Sequence, residues 1–238
     1  MSEWKAKRFW KDASVTTSDT GFQICLDGRP IKAADKSDIV LPTPALADLV
    51  VAEWDAQVDE VDFETMPTMR LVNAALGKFT LQKSDSADQI AAYGDSDLLC
   101  YRAPSPEGLI ERQTQHWDPL LDWAASALDV RLEPRSGVIH ASQSGQANAR
   151  LRAIVHGFTS FELAAMHDLV GLSGSLIIGL AVSRNHAPDD VLWGASRVDE
   201  DWQIEQWGVD EDAAIQAALK KQAFLHAGVV YRSLNRTS

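Results

Sequence analysis

The sequence predicts an α+β N-terminal part, a small antiparallel sheet with a helix, followed by a mainly α-helical C-terminal part. Three observations carry this. Runs rich in β-branched and aromatic residues, separated by turn residues, fill positions 8–41. Apolar residues at helical spacing begin after Thr43 and recur to the C-terminus. Only "DVRLEPRSGVIHASQS" (129–144) interrupts that helical remainder with an extended-looking piece.

Taken in order, "FWKDASVTT" (9–17) and "GFQICLDG" (21–28) read as strands around an "SDTG" turn. Asp27-Gly28 is a hairpin pair, because such turns need the positive φ that glycine accepts. "DIVLP" (38–42) is a further strand, ended by Pro42, and residues 8–41 form a small antiparallel meander. "TPALADLVVAEWDAQ" (43–57) opens a helix with Thr43 as N-cap and Pro44 at the first helical position. Residues 69–81 and "SADQIAAYG" (86–94) are further helices. "SPEGLIERQTQHWDPLLDWAASAL" (105–128) is one helix, or two meeting at Pro119. Beyond it, helices are expected near 146–158, 160–171, 174–186, 188–206 and 210–234. Asp210 caps the last, and Ile215, Leu219, Gln222, Leu225 and Val229 line one stripe of it. The change in composition near Thr65–Thr68 divides a domain 1–67 from a helical domain 68–238.

At 238 residues and 45% hydrophobic, the chain can bury a sizeable core. Its net charge of −12 argues against nonspecific nucleic-acid binding, which needs a basic stripe to displace counterions. The window "LVGLSGSLIIGLAV" (169–182) is too short and glycine-rich to span a bilayer, and the opening "MSEWKAKRFWKD" is basic without an apolar run, so a soluble protein is expected. Cys25 and Cys100 form no C-x-x-C and are expected as buried thiols. The charge is uneven. Residues 188–212 hold nine acids against one base, Arg197, a net −8 of the −12. Charge runs are usually solvated faces, but this one also carries tryptophan.

Catalytic equipment is not evident. The six histidines show no i, i+4 pair and no H-E-x-x-H, so neither metal nor cofactor is expected. There is no P-loop, G-x-G-x-x-G or G-x-S-x-G; "GLSGS" (171–175) lacks the closing glycine and reads as a helix–helix turn capped by Ser173. The "DED" of 199–201 sits on one helix, whereas acid–base catalysis needs carboxylates facing each other across a cleft. A hydrolase using carboxylates or a histidine of the helical part is the rival reading. Of the eight tryptophans, Trp54, Trp117, Trp123 and Trp202 lie on expected helices and read as core. Trp202 shares a stripe with Ala195 and Val198, which leaves Asp199, Glu200 and Glu205 along its edge. A half-exposed tryptophan among acids suits a recognition surface.

Several segments together resemble the F1-ATPase assembly chaperones that handle the α subunit, the ATP12 chaperone family. They are "RFW" (8–10), "GFQICLDGRPIK" (21–32), "LPTPALADLVVAEWDAQ" (41–57), "MPTMRLVNAAL" (66–76), "DLLCYRA" (97–103), "QHWDPLLDW" (115–123) and "SRVDEDWQIEQWG" (196–208). Gly77 departs from the acid expected after "NAAL". The resemblance implies a two-domain chaperone without ATPase activity. It would bind the free F1 α subunit, prevent its aggregation, and leave as the α/β hexamer forms. It implies a monomer that needs neither nucleic acid nor membrane insertion, in the bacterial cytoplasm or, for eukaryotic relatives, the mitochondrial matrix. It also implies an essential acid matching Asp199 or Glu200, within a partner-binding set of Asp199, Glu200, Trp202, Glu205 and Trp207. Arg29, Trp54 and Trp117 are expected to be structural, with Trp54 locking its helix to the meander.

Overall fold

The computed structural model describes residues 7–33, 36–137 and 139–234; Trp4 lies outside them. The N-terminal sheet pairs β1 (Ala13–Ser18) with β2 (Gly21–Leu26) antiparallel, Ala13 opposite Leu26 and Ser18 opposite Gly21. Asp27 and Gly28, at φ 47° and 76°, turn the chain into β3 (Arg29–Pro30). The Asp27 carboxylate accepts the Lys11 and Asp12 N–H groups at 2.9 and 3.0 Å, and these bonds hold its pKa below the usual carboxylate range. β4 (Val40–Leu41) pairs with β2 on the same edge as β3, so the sheet departs from a simple meander.

Helix α1 (Pro44–Asp55) covers this sheet. Thr43 Oγ1 accepts the Leu46 N–H at 3.3 Å and Pro44 occupies the first turn. Trp54, near the far end of α1, packs edge-on against Trp10 at 5.2 Å, and both rings are buried. Trp54 therefore locks α1 chiefly to the segment leading into β1. Arg29 is exposed in β3 beside Asp27.

The helical part follows as α2 (Pro67–Leu76), α3 (Lys78–Leu81), α4 (Lys83–Ala92), α5 (Glu107–Ala127), α6 (Gly145–His156), α7 (Ser160–Ser173), α8 (Leu176–Ser183), α9 (Asp189–Ser196), α10 (Val198–Trp207) and α11 (Glu211–Leu234). The helix expected over 69–81 is broken at Gly77. The one expected over 188–206 is broken at Arg197, which lies at φ −107°, ψ 4° between α9 and α10. α5 runs unbroken through Pro119. The late extended piece contributes only β6 (Arg135–Ser136), parallel to β5 (Tyr101–Arg102). Ser175, rather than Ser173, caps the helix after "GLSGS". Its hydroxyl accepts the Ile178 N–H at 3.0 Å, while Ser173 Oγ bonds back to the Leu169 carbonyl at 2.7 Å.

α7 is the centre of the core. Leu163, Ala164, Ala165, Met166, Leu169 and Val170 are all buried, and α2, α3, α4, α8 and α11 pack around them. A helix apolar over most of its circumference, with only Glu162, His167 and Asp168 as charged or ring-polar residues, belongs in such a position. Asp97, fully buried, fastens the turn at 98–100 to the start of α8 by accepting the Leu99 and Ile177 N–H groups at 3.1 and 3.0 Å. Burial outweighs these bonds and pushes its pKa up to about 6. The seam between sheet and helices is hydrogen-bonded. Glu53 accepts the Thr68 and Met69 N–H groups at 2.6 and 2.8 Å, His226 Nε2 meets Thr68 Oγ1 at 3.0 Å, and Thr43 Oγ1 donates to the Ser233 carbonyl at 2.9 Å.

The stripe expected on α11 faces largely away from the core. The helix's buried residues are Phe224, Ala227, Gly228, Val230, Tyr231 and Ser233, whereas Ile215, Leu219 and Val229 are exposed and Leu225 packs partly buried against the core. Before Phe224 the helix has no buried residue. Local chemistry holds this free half in shape. Asp210 Oδ1 accepts the Ala213 N–H at 2.9 Å, Glu211 and Asp212 favour the positive end of the dipole, and alanines supply propensity.

Candidate protein-docking interface

The acidic, tryptophan-bearing run folds as α10 and is held on the body by one face of α5. Gly108, in the first turn of α5, lies flat against the Trp202 indole. A Cβ there would stand 2.9 Å from the ring, so any larger residue would push the indole from this position. One turn on, the Arg112 guanidinium sits 5.1 Å from the Trp202 ring centroid and grips both Glu205 oxygens at 2.8 and 2.7 Å. Each charge stabilises the other: the Glu205 pKa is lowered and that of Arg112 raised, chiefly by this hydrogen bonding. Buried Gln113 donates to Asp199 Oδ1 at 2.6 Å and accepts the Ala103 N–H at 2.9 Å. Trp117, fully buried, donates its indole N–H to the Ala195 carbonyl at 2.7 Å, with Arg102 stacked 5.2 Å from its ring centroid.

The five residues singled out on α10 therefore divide. Asp199 and Glu205 are engaged by α5, and Trp202 is half-buried beneath Arg112. Glu200 is exposed and pairs with Arg197, the residue just ahead of α10, at 3.0 Å. Trp207 is 80% exposed. Beyond it the chain turns through Gly208 to exposed Val209, and α11 then presents Ile215 and Leu219. Val198 is the only buried residue of α10. Trp207, Val209, Ile215 and Leu219 are thus all exposed apolar side chains on the α10–α11 corner. Asp201, Glu211 and Asp212 stand in the same stretch and make no ion pair among the described residues. Sequence reasoning found the acids and Trp207 but missed Gly108, Arg112 and Gln113. The pairs Gly108/Arg112 and Gln113/Trp117, each at i, i+4, were the available signal.

Chemistry is poorly served elsewhere. A cleft of about 670 Å³ is lined by Leu49, Phe158, Arg184, Asn185, Tyr231 and Arg232 among others, without a carboxylate or histidine. In a neighbouring cleft, Asp189 is bound by Arg232 at 2.9 and 2.6 Å, and His186 stacks on Trp123. Glu53 and Thr68 both approach His226 through the same nitrogen, Nε2, at 4.0 and 3.0 Å, which is not the relay a hydroxyl nucleophile requires. No group of three His, Cys, Asp or Glu side chains placed to hold a metal occurs among the described residues. Nor is any helix among them long and apolar enough to cross a membrane.

Comparison with known proteins is consistent throughout. A family model described as ATP12 chaperone protein matches residues 7–125. The protein named atp12, mitochondrial, of Schizosaccharomyces pombe is 25% identical over 219 residues, 87% of this chain and 75% of that protein. The crystal structure of Atp12 from Paracoccus denitrificans superposes with a TM-score of 0.94 at 40% identity, covering 98% of this chain and all of that one. A protein from Agrobacterium tumefaciens, described as a candidate chaperone, superposes with a TM-score of 0.91 at 39% identity, over 96% of this chain and 86% of that one. The P. denitrificans protein has also been solved with one aspartate replaced by lysine.

Proposed function

The chain belongs to the ATP12 chaperone family, and from that premise we propose that it assists F1-ATP synthase assembly by holding the unassembled F1 α subunit without hydrolysing ATP. The observation that carries this reading is the α10–α11 corner, where Trp207, Val209, Ile215 and Leu219 lie exposed among unpaired acids. An apolar surface of this kind covers the subunit interface that would otherwise aggregate. Acids at the rim set orientation and encounter rate while leaving the contact reversible, so the growing α/β hexamer displaces the chaperone by competition. Of Asp199 and Glu200, Glu200 is the better placed to meet a client, because it is exposed and paired only with Arg197, whereas Asp199 is held by Gln113. Trp202 and Glu205 act one step back, seating α10 on α5. A division near residue 67 would set the sheet-bearing domain apart from the helical one. The bacterial sources of the two solved relatives support a cytoplasmic location.

The test is light scattering of freshly diluted F1 α subunit, without nucleotide, with the β subunit as a control client. The expected result is suppressed aggregation of α, a co-eluting complex, and little effect on β. Aggregation of α at the same rate with and without this protein would overturn the reading.

A further inference from the structure

A second exposed apolar patch lies on the N-terminal part, at the end of α1 away from Thr43. Residues 7–10 run antiparallel to residues 57–60, joined by a bridge between Lys7 and Glu60 and by the Arg8 N–H donating to the Asp59 carbonyl at 2.9 Å. The Arg8 guanidinium clamps the same loop through the carbonyls of Asp55 and Gln57. This pairing lines up four aromatic rings edge to face: Phe9 on Trp10 at 5.2 Å, Trp10 on Trp54 at 5.2 Å, and Trp54 on Phe63 at 6.3 Å. The inner pair is buried. The outer two are not: Phe9 is 74% and Phe63 59% exposed, and Val58 on the intervening loop is exposed as well.

Two further features separate this patch from an ordinary edge of core. The Trp10 and Trp54 indole N–H groups are buried without an acceptor among the described residues, although such donors normally find one. The pair is held by ring packing and by the Arg8 guanidinium, 5.3 Å from the Trp10 ring centroid, and both indole donors are left unused. The loop side of the rim is acidic, while Lys7, Arg8 and Lys11 flank Phe9 on the other strand. Residues 55–64 contain Asp55, Asp59, Glu60, Asp62 and Glu64 and no base. Arg8 approaches Asp55 at 3.7 Å, and the other four make no ion pair among the described residues.

We propose that this aromatic ladder is a second client-docking surface, which takes an apolar segment flanked by lysine or arginine. The inference rests on the holding function proposed above and deepens it. The composition repeats that of the α10–α11 corner, exposed aromatic and aliphatic side chains beside acids that make no ion pair among the described residues. The two surfaces are joined rigidly: Glu53, next to Trp54, approaches His226, and seven residues of α11, roughly 10 Å of helix, separate His226 from Leu219. Two weak contacts on one rigid body hold a client far more tightly than either alone, yet each opens readily, which suits a chaperone that lets go without ATP.

The experiment titrates F1 α subunit against the wild type, a Phe9→Ser/Phe63→Ser variant, and a Trp207→Ser variant, with melting curves on the same preparations. The expected result is a weakening of about tenfold or more for the N-terminal variant, as for loss of an interface anchor, with an unchanged melting curve. A wild type that binds α while the Phe9→Ser/Phe63→Ser variant binds equally well overturns this inference alone. A wild type that does not bind α overturns the holding function, and the inference with it. Hydrogen exchange on the wild type decides the matter even if the double variant unfolds. Slower exchange at residues 57–64 on adding α supports the second surface, and unchanged exchange there rejects it.

Discussion

Helix α7 and the first half of α11 are built from similar material and put it to opposite use. Both start from an oxygen-bearing cap, Thr159 in one and Asp210 in the other, and both carry apolar residues on more than one face. In α7 those residues are buried against five other helices. In α11 nothing is buried before Phe224, and Ile215 and Leu219 face outward. Packing holds the first helix; cap, dipole and alanine hold the second. A helix stable without its neighbours can leave its apolar side chains unspent for a partner. The two indoles Trp117 and Trp207 repeat the contrast, one fully buried with its N–H bonded, the other 80% exposed.

The contrast breaks most visibly at Trp117. Trp117→Ala removes a buried ring and leaves the Ala195 carbonyl unpaired, and should cost about 3–5 kcal/mol, read from denaturant unfolding. Trp54→Arg, which places an unpaired charge against Trp10, should cost roughly 2–4 kcal/mol in the same assay. A loss below about 1 kcal/mol at either site would mean these rings are not the structural elements described.

Asp97 sharpens the buried side of the comparison. Its folded pKa of about 6 lies above the ordinary 3.8, so the folded state keeps a proton that the unfolded chain releases. Stability from this group is therefore undiminished below about pH 4, falls as pH rises through that range, and is fully lost above about pH 6. The effect is on the order of 3 kcal/mol. Unfolding free energies of the wild type and Asp97→Asn from pH 4 to 7 should show the wild-type advantage shrinking as pH rises; an advantage that grows would contradict the assignment.

The adjacent acids Asp199 and Glu200 give a smaller test on one helix. Asp199→Lys strands the buried Gln113 amide and should cost about 1–2 kcal/mol, loosening α10 from α5. Glu200→Lys should leave the melting curve within the scatter expected of surface changes, yet weaken α-subunit capture. Equal losses of stability in both variants would erase the distinction drawn between them.

Much of this fold was legible because its signals are local. Asp27-Gly28, Thr43-Pro44 and Asp210 each specify a turn or cap through their own backbone chemistry, and the structure uses all three. What was not legible depends on partners distant in sequence. Either stripe of α11 has helical spacing, and only the elements packed against it, α7 foremost, decide that Phe224, Ala227 and Tyr231 turn inward. The hold of Arg112 and Gln113 on Glu205 and Asp199 joins residues about 90 apart in sequence; the i, i+4 pairs on α5 mark that face but not its distant partners. The break at Arg197 was hidden because apolar spacing continues across it from Ala195 to Val198 and Trp202. Trp207, at the end of α10, was visible as an odd tryptophan among acids, but its neighbours Ile215 and Leu219 became part of the surface only when α11 was found unburied.

The most direct measurement pairs stability with client affinity in a Trp207→Ser/Leu219→Ser variant. If the α10–α11 corner is a docking surface rather than core, the unfolding free energy stays within about 0.5 kcal/mol of wild type while affinity for the F1 α subunit falls by roughly tenfold or more. A variant that melts early yet captures the α subunit as well as the wild type would contradict that claim.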